Sequence, residues 1–197
     1  RGNMIDADWL NYYTDPENKL VFDQTIISWD TASETGPNND YSVATVWGII
    51  GYFFYLLYVY RDKVNYPTLC QKAYELADQY QADLILVEKS SNGSPLYHEL
   101  NSELPGRVEP VTPTKSKVER MNQQTIFLQK GQVYLPEDAP WLPTFKAELL
   151  AFPSGRYDDQ VDSMEQFLQR MRRRPKRILP YEKVNERTDL DNPRRDM

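Results

Sequence analysis

One cysteine, Cys70, and one histidine, His98, are all the thiol and imidazole side chains that this 197-residue chain holds. An internal disulfide, a cysteine zinc cluster, a multi-histidine site and a pair of Glu-x-x-His motifs are therefore excluded. Any metal would be held by oxygen, which favours magnesium, manganese or calcium. A lone cysteine fits a reducing cytosol. Long apolar runs are also missing. The most apolar stretch, VWGIIGYFFYLLYVY (46–60), is too short to span a bilayer, is interrupted by Gly48 and Gly51, and reads as a buried hairpin. No secretory signal is visible at the start. The chain opens on Arg1 rather than methionine, so it is expected to be a piece of something longer.

Positive charge is scarce outside one segment. The net charge is −6, but residues 170–197 carry ten Lys/Arg against five Asp/Glu, which leaves −11 for residues 1–169. So acidic a body is a poor passive binder of nucleic acid. If it engages DNA, it must do so locally, with cations neutralising its own acids.

Hydrophobic residues make up 40% and aromatic residues 13%, a globular composition with enough chain for one domain and a tail. Residues 1–20 read as a linker with a short helix around Asp8–Tyr13, residues 21–174 as the domain, and residues 175–197 as a basic, aperiodic tail. Strands are expected at 25–30, 41–50 and 52–64, with the turn at Gly51, and then at 82–89, 107–113 and 132–137. Helices are expected at 65–81, 90–104, 115–131, 139–152 and 158–173. ADLILVEK (82–89) is apolar on both faces and is expected to be central. The order, a three-stranded antiparallel meander and then β/α alternation, predicts an α/β fold: a mixed sheet with helices on both faces.

Acids sit where such sheets build sites. Asp30 ends the first strand after IISW, and Glu88 ends the strand LILV. YDDQVDSMEQF (157–167) then crowds Asp158, Asp159 and Asp162 at the start of a helix with an apolar face. Either these acids sit in water and cap the helix, or a cation sits between them. At an effective dielectric near 20, each carboxylate pair 4 Å apart repels by roughly 4 kcal/mol, a large share of a domain's stability of about 5–15 kcal/mol. Divalent ions would remove that conflict.

The ordered set IISWDTA…NNDYSVATVWG, LILVEKSSNGSPLYHEL, PVTPTKSKVERM and YDDQVDSMEQFL resembles the nuclease domain of tailed-phage (or prophage) terminase large subunits, from about Thr25 to Leu168. The resemblance implies the RNase H-like fold shared with Holliday-junction resolvases. It also implies a metal-dependent endodeoxyribonuclease that cuts concatemeric viral DNA with two Mg2+ or Mn2+ ions. By resemblance, Asp30, Glu88, Asp159 and Asp162 are the catalytic metal ligands, with Asp40 and Asp158 as outer participants. Lys115, Lys117 and Arg120 either hold DNA phosphates, the last two favoured by the family pattern, or form a solvated first turn of the helix. Implied partners are double-stranded DNA, an ATPase domain in the full-length protein, the portal protein and the small terminase subunit. The implied setting is the host bacterial cytoplasm, without a membrane. No G-x-x-x-x-G-K-[ST] phosphate loop occurs, so the chain could cut DNA but not pump it. Two other functions compete: a structure-specific junction resolvase-like nuclease, and a packaging module that mainly binds portal, with latent cutting. Gly93 either lets backbone amides approach DNA or serves a turn and helix cap. The RMRRRPKR run (170–177) either follows DNA, meets an acidic partner or solubilises the tail. His98 is expected at the surface and Cys70 in the core.

Overall fold

The computed structural model describes residues 3–32 and 40–173. The expected tail over 175–197 and most of the 31–40 loop lie outside the described residues. Among the described residues, seven strands form one sheet: β1 Asn11–Tyr13, β2 Gln24–Asp30, β3 Ser42–Ile50, β4 Phe53–Asp62, β5 Leu84–Glu88, β6 Val108–Val111 and β7 Val133–Pro136. Five α-helices among the same residues accompany them: α1 Tyr66–Gln79, α2 Gly93–Glu103, α3 Lys117–Gln129, α4 Leu142–Ala151 and α5 Asp159–Arg172. The strand order is β1-β7-β4-β3-β2-β5-β6. β2, β3 and β4 form the expected antiparallel meander, while β5 adds parallel to β2 and β6 parallel to β5.

Local chemistry accounts for most boundaries. Gly51 closes the β3–β4 hairpin at φ 57°, a left-handed conformation that glycine adopts without steric cost. Asn65 caps α1 by accepting from the Thr68 amide, with Pro67 in the first turn. Ser116 caps α3 by accepting from the Glu119 amide.

Apolar side chains fill both faces of the sheet. On one, α3, α4 and α5 cover a core that includes Ile26, Leu84, Leu86, Trp47 and Phe167. On the other, α1 and α2 cover Ile27, Trp29, Ile85 and Val87. Strand side chains alternate between faces. Ile26 and Ser28 therefore place Asp30 on the α5 face, and Leu84 and Leu86 place Glu88 on the same face.

Two expectations need correction. Instead of a helix around Asp8–Tyr13, the chain makes one 3-10 turn, Ala7–Trp9, and then the edge strand β1, parallel to β7. Tertiary contacts override local propensity there: Ile5 and Leu10 are buried in the main core, and the Tyr13 hydroxyl donates to the Leu56 carbonyl at 2.8 Å. Residues 5–13 of the presumed linker thus pack with the folded body. β5 is interior but not central; the middle of the seven strands is β3. An apolar run reports that both faces are covered, not how many strands lie on either side.

Candidate active site

The register of β2 and β5 matches Ser28 with Leu86 and Trp29 with Val87, so the next step sets Asp30 level with Glu88. Neighbouring strands lie about 4.8 Å apart. The loops beyond these two ends are knitted together. Asn92 Nδ2 donates to the Ala32 carbonyl at 2.8 Å, and the Thr31 and Ser90 hydroxyls share a hydrogen bond at 3.0 Å. Gly93 starts α2 hard against β5: a Cβ there would strike the Glu88 carbonyl oxygen. Its amide donates to Ser90 Oγ, so of its two expected roles the structure assigns the turn.

α5 is the third wall. Gln160 through Leu168 are all buried, which no water-exposed, capped helix start would be. A polar zipper fixes its rotation on the sheet. Ser28 and Ser163 each donate a hydroxyl to the other's carbonyl at 2.7 Å, and Ser163 also meets Thr45. Gln166 Nε2 donates to Ser28 Oγ at 2.9 Å and to the Trp29 carbonyl at 3.2 Å. With that register set, Asp162 is only 5% exposed and turns toward Asp30 and Glu88.

Two cations from α3 meet these acids. Lys117 Nζ lies 2.8 Å from Asp158 and 2.6 Å from Asp162. Arg120 reaches Glu88 at 3.8 Å, Asp162 at 3.7 Å and Glu165 at 3.3 Å. Arg120 is 4% exposed, so its expected role as a phosphate contact is corrected: it is an internal counter-charge shared by three acids. Lys117 remains exposed but is already paired. Lys115 is exposed and, among the described residues, pairs only with Glu119, one turn away. Asp158 makes no capping hydrogen bond with its side chain, because Lys117 takes it. Glu148 of α4 does the capping instead, accepting from the Gln160 amide and from Gln160 Nε2, both at 2.6 Å.

The cations do not balance the cluster. Burial, with the charges of Asp162, Glu88 and Asp159, pushes the Asp30 carboxyl well above the usual range. Burial also raises Glu88, against the pull of Arg120 and Lys117. Asp159 is pushed up to about 6 by burial and by Glu148 and Asp158. Asp162 also rises to about 6, burial outweighing its Lys117 hydrogen bond. Burial works against the Lys117 charge too, but hydrogen bonds to Asp158 and Asp162 prevail and hold it above the ordinary lysine range. Asp30 thus lies within the fields of Asp162, Glu88 and Asp159. Among the described residues, no three Asp, Glu, His or Cys side chains converge closely enough to hold a metal ion as they stand. Lys117 spans two of the acids instead. The donor chemistry, all carboxylate oxygen, fits hard divalent cations.

Sequence reasoning passed over Glu148 and Glu165. Glu165 is 1% exposed, with Arg120 3.3 Å from its carboxylate, and burial raises it to about 7 against the pull of that cation. Its spacing could have revealed it, since Asp159, Asp162 and Glu165 follow i, i+3, i+6 on one helix face. Glu148 sits in the apolar run FKAELLAF and left no such signal. Asp40 is exposed and, with Asp158, lines a small cleft at the mouth of the cluster. His98 is exposed, and Cys70 packs partly buried against the α1–α2 core, both as expected. In the arginine run, Arg170 is bidentate to Glu109, while Arg172 is exposed and donates to the Gln123 carbonyl. Residues 174–177 lie outside the described residues.

A family model described as a terminase RNase H-like domain matches residues 27–171. Among solved structures, the large terminase nuclease of thermophilic phage G20c with bound cobalt superposes with a TM-score of 0.63 at 19% identity, over 85% of this chain and 97% of that one. The same nuclease with bound magnesium gives 0.60 at 21% identity, again over 85% and 97%. The large terminase of thermophilic bacteriophage D6E gives 0.62 at 12% identity, over 84% of this chain. This chain spans only 44% of the D6E protein. No curated protein matches in sequence. The shared architecture is the RNase H-like fold.

Proposed function

Because this chain belongs to the terminase RNase H-like domain family, we propose that it is a divalent-metal-dependent endonuclease that hydrolyses phosphodiester bonds in double-stranded DNA. One observation carries the reading: carboxylates from β2, β5 and α5, spread over more than a hundred residues of sequence, meet in a partly buried cluster, where burial first and neighbouring carboxylates second raise the Asp30, Asp159 and Asp162 pKa values. A structural acid network would be neutralised by its own cations. This one is left with excess negative charge, the state that a divalent cation relieves.

Asp30, Glu88, Asp159 and Asp162 would hold Mg2+ or Mn2+, and two ions suit a site with four carboxylates. Bound there, divalent cations supply the Lewis acidity that activates a water and supports the departing 3′ oxygen. The structures of the G20c nuclease with bound cobalt and magnesium support the choice of ion class. The remaining work falls to the chain itself. The Ser28–Ser163–Gln166 zipper keeps α5 in register, so that Asp162 and Asp30 arrive together. Arg120 holds Glu88 and Asp162 in place from behind. Lys117 offsets the negative charge of Asp158 and Asp162 through its ion pairs with both, and Lys115, two residues before it, is an exposed cation paired with Glu119. In the whole large subunit the substrate would be concatemeric viral DNA in the host cytoplasm, with an ATPase domain, the portal and the small subunit as partners.

The test is nicking of supercoiled plasmid with manganese or magnesium. Asp30→Asn and Glu88→Gln should each abolish cutting while leaving the circular dichroism spectrum unchanged. Undiminished cutting by either variant sinks the proposal.

A further inference from the structure

The cleft of about 370 Å3 at the mouth of the acid cluster has a second wall that the proposed chemistry leaves unused. Lys63, one residue past β4, and Arg156, in the α4–α5 connection, line it opposite Lys117, Asp158 and Asp159. Both side chains are exposed, and neither forms an ion pair with another described residue. Lys117, by contrast, is paired with Asp158 and Asp162. Of the cations lining the cleft, Lys63 and Arg156 are therefore the two with charge to spare.

They are also held in place. Tyr41 and Tyr157 meet edge to face, with ring centres 5.4 Å apart. The Arg61 guanidinium lies 3.4 Å above the Tyr41 ring and 5.1 Å from that of Tyr157, with Glu148 3.9 Å from its Nε. Lys63 Nζ lies 4.8 Å over Tyr41, and the Arg156 guanidinium 5.1 Å over Tyr157. This shelf orders two long side chains that would otherwise sample many rotamers. A cluster of acids repels a phosphodiester backbone, so phosphates flanking a bond held there need cations that are not already neutralised.

We propose that Lys63 and Arg156, carried on the Tyr41–Tyr157 shelf, grip backbone phosphates of the DNA strand entering the acid site. This rests on the nuclease reading above. Each residue supplies one phosphate contact, independent of base sequence.

The test measures binding of a short fluorescent duplex by the 197-residue chain in an Asp30→Asn background with magnesium, across salt concentrations. Adding Lys63→Ala and Arg156→Ala should make the slope of log K against log salt shallower by about 1.8, so that between roughly 50 and 200 mM salt this chain loses about 12-fold less affinity than its parent. Lys130→Ala with Lys146→Ala, a charge-matched pair outside the cleft, should leave the slope unchanged. An unchanged slope in the first pair, or an equal fall in the control, overturns the inference. Plasmid nicking by the otherwise unsubstituted chain separates the two levels. If it cuts and the slope does not move, only the phosphate grip is lost. If it does not cut, the nuclease reading falls and the grip falls with it.

Discussion

Raising the pH of the metal-free protein should weaken its fold, and Asp162→Asn should remove much of that effect. Asp162 is 5% exposed, and its carboxyl is raised from 3.8 to about 6. A carboxyl with a raised folded-state pKa binds its proton more tightly folded than unfolded. Its contribution is complete below pH 4 and is lost as pH climbs through 6. The difference is worth about 3 kcal/mol by pH 8, a sizeable part of a typical domain's stability. Asp30 and Glu165 are shifted in the same direction, so the slope in the unsubstituted protein is at least this steep. The asparagine is isosteric and uncharged. The lost Lys117 contact costs little, because that lysine is half-exposed and still has Asp158. Guanidinium denaturation in EDTA at pH 5, 6.5 and 8 would measure the slope. Magnesium at a hundred times its Kd should restore about 2.7 kcal/mol. It should do so at pH 8 far more than at pH 5, where protons compete for the ligands. Equal stability of the metal-free, unsubstituted protein at pH 5 and pH 8 would refute the reasoning, because the acids would then have to be neutralised in some other way.

Two further perturbations probe the framework. Arg120→Met leaves Glu88, Asp162 and Glu165 without their shared counter-charge and should cost roughly 3–5 kcal/mol at pH 8; adding Glu165→Gln should return part of that loss in a double-mutant cycle read by urea denaturation. Gly93→Ala drives a methyl group into the Glu88 carbonyl, backbone against backbone, and should lower stability by about 1–3 kcal/mol. A thermal melt checks the stability, and plasmid nicking should fall with it because Glu88 is displaced.

Much of this architecture could be read from residue order. Each helix expected between Asn65 and Arg173 is present with its ends moved by a few residues, because caps such as Asn65 and Ser116 and stops such as Gly131 act locally. The four candidate acids stood out only in combination, two at strand ends and two at helical spacing. The opening segment was not. Three residues of β1 form a strand only because β7 presents an edge to them, and no short-range preference encodes a partner more than a hundred residues away.

The roles of charged side chains divide along the same line. Arg120 and Lys117 are three positions apart on one helix, one buried among acids and the other at their rim. Glu148 was hidden in an apolar run until α4 packed across the start of α5. Lys63 and Arg156 gained meaning only when two loops met over a pair of tyrosines. Residue order dictates periodicity, capping and the placing of acids at strand ends, since each depends on neighbours within a turn or two. Which cation is consumed internally and which faces the cleft depends on distances across the fold, and packing alone assigns those.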